Sequence, residues 1–427
     1  MRPALPKGPY LIVGLARSGA AAARMLLSHG PVLATDTARP EVPPGVEAHL
    51  ESDGVQLLDR VACVVKSPGV PNEAPVIVAA RRRGIPVHGE LELAWRLLSN
   101  RFLAVTGTNG KTTTTELLGA IHRRAEVPAA VAGNVGTPLA SLVGRVDPAA
   151  VVVCEVSSFQ AEDAEAFAPD AALLLNLAED HLDRHGTFAA YRDAKLRVFR
   201  NQTPEQLAIA PAAFALPGAG RRVTFGAADA DLALRDGVLC WREAELIPPT
   251  DIRLRGAHNL ENAMGAAAAA LAGGLPAEAV RVALRDFAGV PHRLEEVHTV
   301  AGVLYVNDSK ATNVASAVRG IEAFEGGVHA ILGGSLKGGS FTALREPVAA
   351  RCRACYLIGA AAAQLERDLA GTVPLHRCGD LQAAVTAASA AARPGEVVLL
   401  SPAAASFDQF RDYEARGDEF RRLVAEA

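Results

Sequence analysis

The run Phe102-Leu-Ala-Val-Thr-Gly-Thr-Asn-Gly-Lys-Thr112 is an apolar segment that breaks into a glycine turn ending in Gly110, Lys111 and Thr112. An apolar strand that delivers a glycine loop into a helix leaves backbone N–H groups aimed at one point, where they and the helix N-terminus can cradle phosphates. Lys111 would then neutralise the β- and γ-phosphates, and the Thr112 hydroxyl would reach Mg²⁺. This predicts ATP use, with Gly107, Thr108, Asn109, Gly110, Lys111, Thr112 and Thr113 around the phosphates. The spacing departs from the usual G-x-x-x-x-G-K, because Gly107 stands close to Gly110 and Val105 occupies the earlier glycine's place. A plain turn entering a helix is the alternative; the helical continuation from Thr113 to Leu118 favours the phosphate loop.

Further polar groups follow. Glu155 ends the valine-rich segment from Ala150, and an acid at a strand's C-terminal end in such a domain can hold Mg²⁺ directly or through water, or else cap the next helix. The segment from Asn176 to His185 packs His181 and His185 among Glu179, Asp180 and Asp183. Histidines at this spacing could share a helical face and bind zinc, yet the lead-in reads equally as a helix cap. With magnesium implied upstream, His181 is expected as a ligand or substrate contact and His185 as a surface residue. On residue type alone Lys195, in Tyr191-Arg-Asp-Ala-Lys195, is an exposed helical lysine. Asn259 and Asn262 share a helix start where amides could grip adenine or ribose, and Asn307 to Asn313 gathers polar side chains after a strand.

Three blocks of alternating strands and helices must position these groups. The first runs from Tyr10-Leu-Ile-Val-Gly14 through an alanine-rich helix to Val32–Asp36, and continues with the strand ending at Ser67, the turn Pro68-Gly69 and a helix closed by Arg81-Arg82-Arg83. Gly14, Ala16 and Gly19 nearly reproduce a dinucleotide fingerprint, but the Ala16 methyl weakens an NAD reading. The middle block opens with the phosphate loop and includes a quieter, short-stranded region from about Gly218 to Pro249; the last begins near Pro291. The expected fold is α/β in three domains: a Rossmann-like N-terminal domain (1–89), a central P-loop ATPase-like domain with a mainly parallel sheet (90–289), and a Rossmann-like C-terminal domain (290–427).

Composition narrows the classes. A chain of 427 residues with net charge −4 argues against a dominant nucleic-acid role. The lack of a signal-peptide core or a long apolar run argues against membrane insertion and for a cytoplasmic location. Six scattered cysteines do not form a secreted disulfide framework, and Cys352-Arg-Ala-Cys355, placed just before a strand at Tyr356–Gly359, supplies only half of a zinc site.

Taken in order, Gly107 to Thr112, Glu155-Val-Ser-Ser-Phe-Gln160, Asp180-His181, Tyr191 to Lys195, His258-Asn259 with Asn262, Pro291-His-Arg293 and Asn307 to Asn313 resemble the signatures of the Mur ligase family across nearly the whole chain. The family joins an amino acid to a carboxylate of the peptidoglycan precursor as ATP is cleaved to ADP and phosphate. The tail Ser401-Pro-Ala-Ala-Ala-Ser-Phe-Asp-Gln-Phe410 with Arg416-Gly-Asp-Glu-Phe420 resembles that of members adding D-glutamate to UDP-N-acetylmuramoyl-L-alanine.

The resemblance implies that Lys111 and Thr112 hold ATP phosphates and one Mg²⁺ with Glu155, and that His181 and Lys195 serve a second Mg²⁺, the lysine as a CO₂-derived carbamate. It places Asn259, Asn262, Arg293 and Asp308 on the nucleotide across a domain junction. Lys310, Thr312, Lys337, Ser406 and Tyr413 fall to the D-glutamate pocket, and Leu15, Asp36, Thr37, Ser67, Gly69, Asn134 and Gln160 to the UDP-muramoyl substrate. Lys111, His181 and Lys195 are the expected catalytic residues of an enzyme expected to be monomeric. Two features depart from the family pattern: Ala38 stands where a basic residue often follows the Asp-Thr pair, and Tyr413 stands in place of phenylalanine. The rivals are a sibling ligase for another amino acid, or a folate polyglutamyl ligase, differing in the first domain and tail, and an NAD-dependent oxidoreductase, which would need no Lys111 loop.

Overall fold

The computed structural model describes residues 2–254, 256–336 and 339–426. It divides into two compact units, Met1–Phe287 and Ala288–Ala427. Lys337 lies outside the described residues.

The first unit holds two sheets. Strands β1 (Tyr10–Val13), β2 (Val32–Asp36), β3 (Glu47–Leu50), β4 (Cys63–Lys66) and β5 (Val87–Gly89) form an all-parallel sheet in the order β3-β2-β1-β4-β5. The order reverses between β1 and β4, and a ligand crevice opens at the strand C-termini at such a reversal. Leu15 follows β1 and Ser67 follows β4, so both stand at that edge.

The second sheet has nine strands: β6 (Phe102–Thr106), β7 (Ala129–Gly133), β8 (Val151–Glu155), β9 (Ala171–Leu174), β10 (Leu207–Pro211), β11 (Arg221–Phe225), β12 (Leu232–Arg235), β13 (Val238–Trp241) and β14 (Ala244–Ile247). Their order is β14-β13-β12-β11-β10-β9-β6-β8-β7, parallel except for the β12-β13-β14 meander. That meander lies within the chemically quiet stretch from Gly218 to Pro249, which also holds β11. Strand β6 is buried throughout and flanked by β8 and β9, so the loops after all three open at one edge. Apolar side chains of β6 divide by alternation, Phe102 and Ala104 packing into one core and Leu103 and Val105 into another, as a strand covered on both faces requires.

The second unit is a six-stranded sheet in the order β15-β16-β20-β17-β18-β19, with strands β15 (Glu295–Val300), β16 (Val303–Asn307), β17 (Val328–Gly333), β18 (Cys352–Ile358), β19 (Leu375–Gly379) and β20 (Val397–Ala403). Only the β15–β16 pair is antiparallel. Strand β18 begins earlier than the sequence suggested, so Cys352 and Cys355 lie within it as buried residues of one core. The hydrogen bond with Cys352 first, and burial second, push the Cys355 thiol up. Cα register slips between Val328↔Cys352 and His329↔Ala354, a bulge that puts both thiols on the same face. Among the described residues no helix is long and apolar enough to cross a membrane.

Candidate active site

The chain leaves β6 through Gly107 at φ 151° and enters the helix Lys111–Arg124 through Gly110 at φ 81°, both positions that favour glycine. The loop is held from outside. Thr108 N donates to the Asn176 carbonyl at 3.0 Å, Asn109 N donates to Asn176 Oδ1 at 2.9 Å, and the Tyr191 hydroxyl donates to Thr108 Oγ1 at 3.0 Å. The helix Ala257–Ala272 closes behind it, so that a Cβ on Gly110 would stand 1.9 Å from Asn262 Oδ1. Gly110→Ala is therefore expected to cost about 1–3 kcal/mol of stability. If that strain falls on the loop, nucleotide affinity should drop roughly tenfold or more, which thermal unfolding and titration with a fluorescent ATP analogue would check.

Two lysines meet at this loop. Lys111 Nζ donates to the carbonyls of Gly107 at 2.9 Å and Thr108 at 3.0 Å, and Lys195 Nζ donates to the same Gly107 carbonyl at 2.8 Å. Lys195 is only 2% exposed, in contrast to the exposed lysine that residue type alone suggested. Burial first, and the neighbouring Lys111 cation second, bring its ammonium down to about 7 against the opposing pull of Asp180 and Glu155. Its Nζ also lies 4.7 Å from the centre of the Tyr191 ring.

Glu155 ends β8 beside the loop. Its Oε2 accepts from Thr112 Oγ1 at 2.8 Å and its Oε1 from Asn134 Nδ2 at 3.0 Å. A buried carboxylate and a hydroxyl in contact offer hard oxygen donors, which suit Mg²⁺. Among the described residues no group of three or more His, Cys, Asp and Glu is gathered to hold a metal.

His181 has left-handed backbone, φ 51°, and caps the short helix Leu182–His185. Its ring packs 4.8 Å from that of Phe159, and His185 stacks on Phe159 at 5.4 Å while its Nε2 meets Ser158 Oγ at 3.1 Å. His185 is thus half-buried in an aromatic cluster and not the surface residue expected. Gln160 Oε1 accepts from Ser157 N at 3.1 Å in a capping box, so this amide oxygen shapes the helix after Glu155.

At the edge of the first sheet, Asp36 accepts from Leu15 N at 2.7 Å and from Ala38 N at 2.9 Å, while Ser67 Oγ donates to the Gly14 carbonyl at 2.7 Å. A Cβ on Gly19 would lie 1.8 Å from that carbonyl, so the last glycine of the fingerprint is the one packing demands. Thr37 and Gly69 are exposed at this edge. A cavity of about 340 Å³ beside it is lined by Leu15, Arg17, Arg24, Glu41, Pro138 and Ser141, so basic side chains stand here although Ala38 supplies none.

In the second unit, Asp308 follows β16 and accepts from Ser401 Oγ at 2.8 Å and Leu294 N at 3.3 Å; burial raises its carboxyl to about 7. Lys310 Nζ lies 5.8 Å from the Tyr413 ring centre, and Tyr413 O accepts from Ser309 Oγ at 2.8 Å. Thr312 follows on the same loop, its N–H on the Lys310 carbonyl at 2.8 Å; Arg293 N donates to Val290 O at 3.1 Å, and Ser406 is buried after β20. Fully buried Arg416 ties these loops together, donating to Ser309 Oγ at 3.0 Å, Ser309 O at 2.9 Å and Ala404 O at 3.2 Å. The Arg416 guanidinium is thus the clamp behind the Ser309 and Ser406 loops.

Comparison with known proteins agrees with this layout. Residues 105–270 match the model of the Mur ligase middle domain, and residues 292–404 that of the Mur ligase, glutamate ligase domain. The UDP-N-acetylmuramoylalanine--D-glutamate ligase of Acidobacterium capsulatum is 43% identical, covering 97% of this chain and 95% of its own. The chain belongs to the Mur ligase family. The enzyme of the same name from Anaeromyxobacter dehalogenans is 44% identical, covering 97% of both chains. Among solved structures, the MurF ligase of Thermotoga maritima in complex with ADP superimposes with a TM-score of 0.60 at 17% identity over 99% of this chain and 96% of that one. The UDP-N-acetylmuramate-alanine ligase of the same organism gives 0.59 at 19% identity over 98% and 100%. These two show the shared α/β fold.

This Mur ligase is accordingly an ATP-dependent enzyme. In its first unit, Lys111, Thr112, Asn134, Glu155 and Lys195 converge on the Gly107–Gly110 loop, with Asn262 behind it and His181 on the adjoining aromatic cluster. Asn259 shares the helix of Asn262, and its Oδ1 accepts from Asn262 Nδ2 at 3.2 Å. Two contributors escaped the sequence reading, Asn176 and the Tyr191 hydroxyl, both bracing the loop. Both stand in segments singled out from the sequence, Asn176 at the end of the apolar run from Ala172 and Tyr191 at the head of the Lys195 segment, but their bracing role rests on partners far away in sequence.

Proposed function

We propose that this chain joins the amine of D-glutamate to the L-alanine carboxylate of UDP-N-acetylmuramoyl-L-alanine while ATP is cleaved to ADP and phosphate. The observation that carries the reading is the full-length likeness to relatives named for that reaction, at 43% and 44% identity. A carboxylate repels nucleophiles and loses oxide poorly, so ATP first converts it to an acyl phosphate. Lys111 offsets the charge developing on the transferred phosphoryl group. The D-glutamate amine, deprotonated by His181 or by substrate phosphate, attacks the acyl carbon, and the tetrahedral intermediate collapses with loss of phosphate.

Thr112 and Glu155 would hold one Mg²⁺, and His181 with carbamylated Lys195 a second; when bound, the ions supply Lewis-acid stabilisation of phosphoryl oxygens. Gly107 to Thr113 cradle the phosphates, and Asn259, Asn262, Arg293 and Asp308 hold the nucleotide. Leu15, Asp36, Thr37, Ser67, Gly69, Asn134 and Gln160 take the UDP-muramoyl substrate; Lys310, Thr312, Lys337, Ser406 and Tyr413 take D-glutamate. The working division is 1–89 for the UDP substrate, 90–289 for ATP and 290–427 for the amino acid, in a monomeric cytoplasmic enzyme of peptidoglycan synthesis that binds no nucleic acid. Phosphate release with UDP-N-acetylmuramoyl-L-alanine is expected with D-glutamate alone from a panel of amino acids. Release only with L-alanine or a diamino acid would overturn the assignment.

A further inference from the structure

The side chain of Arg184 belongs to no site described so far, yet it touches three parts of the first unit. Its Nη2 donates to the Val70 carbonyl at 2.9 Å, in the turn that carries Ser67 and Gly69, and to Glu162 Oε1 at 2.7 Å, just after the helix that carries Gln160. Its guanidinium lies 5.0 Å from the centre of the Phe159 ring, the ring against which His181 packs at 4.8 Å. Its backbone N–H also donates to the His181 carbonyl at 3.1 Å.

Lys66, the last residue of β4 and fully buried, reaches the same two acceptors, Val70 O at 3.1 Å and Glu162 Oε1 at 3.1 Å, and pairs with Asp163 at 2.9 Å. Two cations thus converge on one carbonyl and one carboxylate oxygen. With the Arg184 side chain 14% exposed and that of Glu162 11%, solvent screens the cluster little.

We propose that Arg184 is a positioning residue that couples the Ser67–Val70 turn to His181, so that one side chain sets the UDP-substrate edge and the second-metal edge of the site together. The inference rests on the roles given above to Ser67, Gly69 and His181. The guanidinium donates to Val70 and Glu162 through Nη2 while its carbon packs 5.0 Å from the Phe159 ring centre, and a planar delocalised cation suits such an aromatic contact better than an ammonium. The His181 ring is set by Phe159 at 4.8 Å together with Tyr191 at 6.4 Å and Asp180 Oδ2, 3.7 Å from its Nε2, and Arg184 packs against the same Phe159 ring. A shift of the Val70 carbonyl is therefore passed to Arg184, then to Phe159 and His181, through contacts and not mere proximity.

The test uses the full chain with Arg184→Met and Arg184→Lys. Calorimetry reads the affinity of metal-free protein for UDP-N-acetylmuramoyl-L-alanine, and electron paramagnetic resonance reads Mn²⁺ affinity with a non-hydrolysable ATP analogue present. Arg184→Met is expected to weaken both by about fivefold, the low end of typical site-to-site coupling. Arg184→Lys, which keeps a cation for Val70 and Glu162 but loses the planar face, is expected to retain substrate affinity and lose Mn²⁺ affinity. A Met variant that moves neither quantity or only one, or a Lys variant like wild type in both, overturns the coupling. His181→Ala separates the two levels: it should weaken Mn²⁺ binding and spare substrate affinity, and wild-type Mn²⁺ binding in that variant would defeat the role of His181 itself.

Discussion

Lys195→Ala is expected to lower ligation by about 10²–10³-fold, the usual loss when one preorganised group of a charge-stabilising site is removed. Lys195 Nζ is buried and donates to the same Gly107 carbonyl as Lys111. Burial and that neighbouring cation bring it down to about 7. Only a neutral amine attacks CO₂, forming the N–C bond of a carbamate and releasing one proton, and a lysine at this value is substantially neutral at mildly alkaline pH. The product replaces a cation that repels Mg²⁺ with an anionic oxygen ligand. Activity should therefore fall as pH drops through about 7 in CO₂-depleted buffer, and bicarbonate at pH ~8 should restore it, as expected for a lysine titrating near 7. Lys195→Arg, which stays cationic, should be as poor as the alanine variant.

Folding stability separates this chemistry from damage. A lysine whose folded value lies below its unfolded one binds more protons when unfolded, so its burial opposes folding most below about 7 and the penalty fades as pH rises toward about 10.4. At pH 7 an apolar Lys195→Met variant should thus melt no lower than wild type while losing activity. Wild-type turnover in Lys195→Ala or Lys195→Arg, or no response to bicarbonate, would remove the carbamate from the mechanism.

What the sequence disclosed and what it hid divide along contact range. The strand–turn–helix geometry of the Gly107–Lys111 loop was legible because its components are local: an apolar strand, two glycines at positive φ and the Gly-Lys-Thr entry to a helix. Glu155 and Asp36 were legible for the same reason, each an acid ending a strand at the carboxyl edge of a parallel sheet. Residues 47–50 and 295–300 escaped notice as strands because both lie at sheet edges, and their mixed burial gives no apolar run. His185 was misjudged because Phe159 and Tyr191, which enclose it, come from two other helices with no periodicity linking them to it. Lys195 is the clearest case: by residue type it is one cation among Arg192, Arg197 and Arg200 on its helix, the family resemblance alone singled it out, and its packing against Gly107 is the physical feature that sets it apart.

Lys111→Ala is expected to be the most damaging substitution, lowering turnover by about 10³-fold or more, because it acts twice. The first loss is direct: the side chain bends over the loop onto the carbonyls of Gly107 and Thr108, within the cradle, and nothing replaces its charge against the transferred phosphoryl group. The second passes through Lys195, whose value Lys111 helps to lower. Without that cation Lys195 should hold its proton to higher pH, so the neutral amine needed for carbamate formation becomes scarcer near pH 7. Residual activity of Lys111→Ala should accordingly show its acidic limb displaced to higher pH, and raising bicarbonate should recover part of the loss in that variant but none in Lys111→Ala combined with Lys195→Ala. Non-additivity between the single and double variants measures the coupling. An unshifted limb with strictly additive losses would separate the two lysines, and ligation persisting at wild-type rate in Lys111→Ala would remove this loop from phosphate handling altogether.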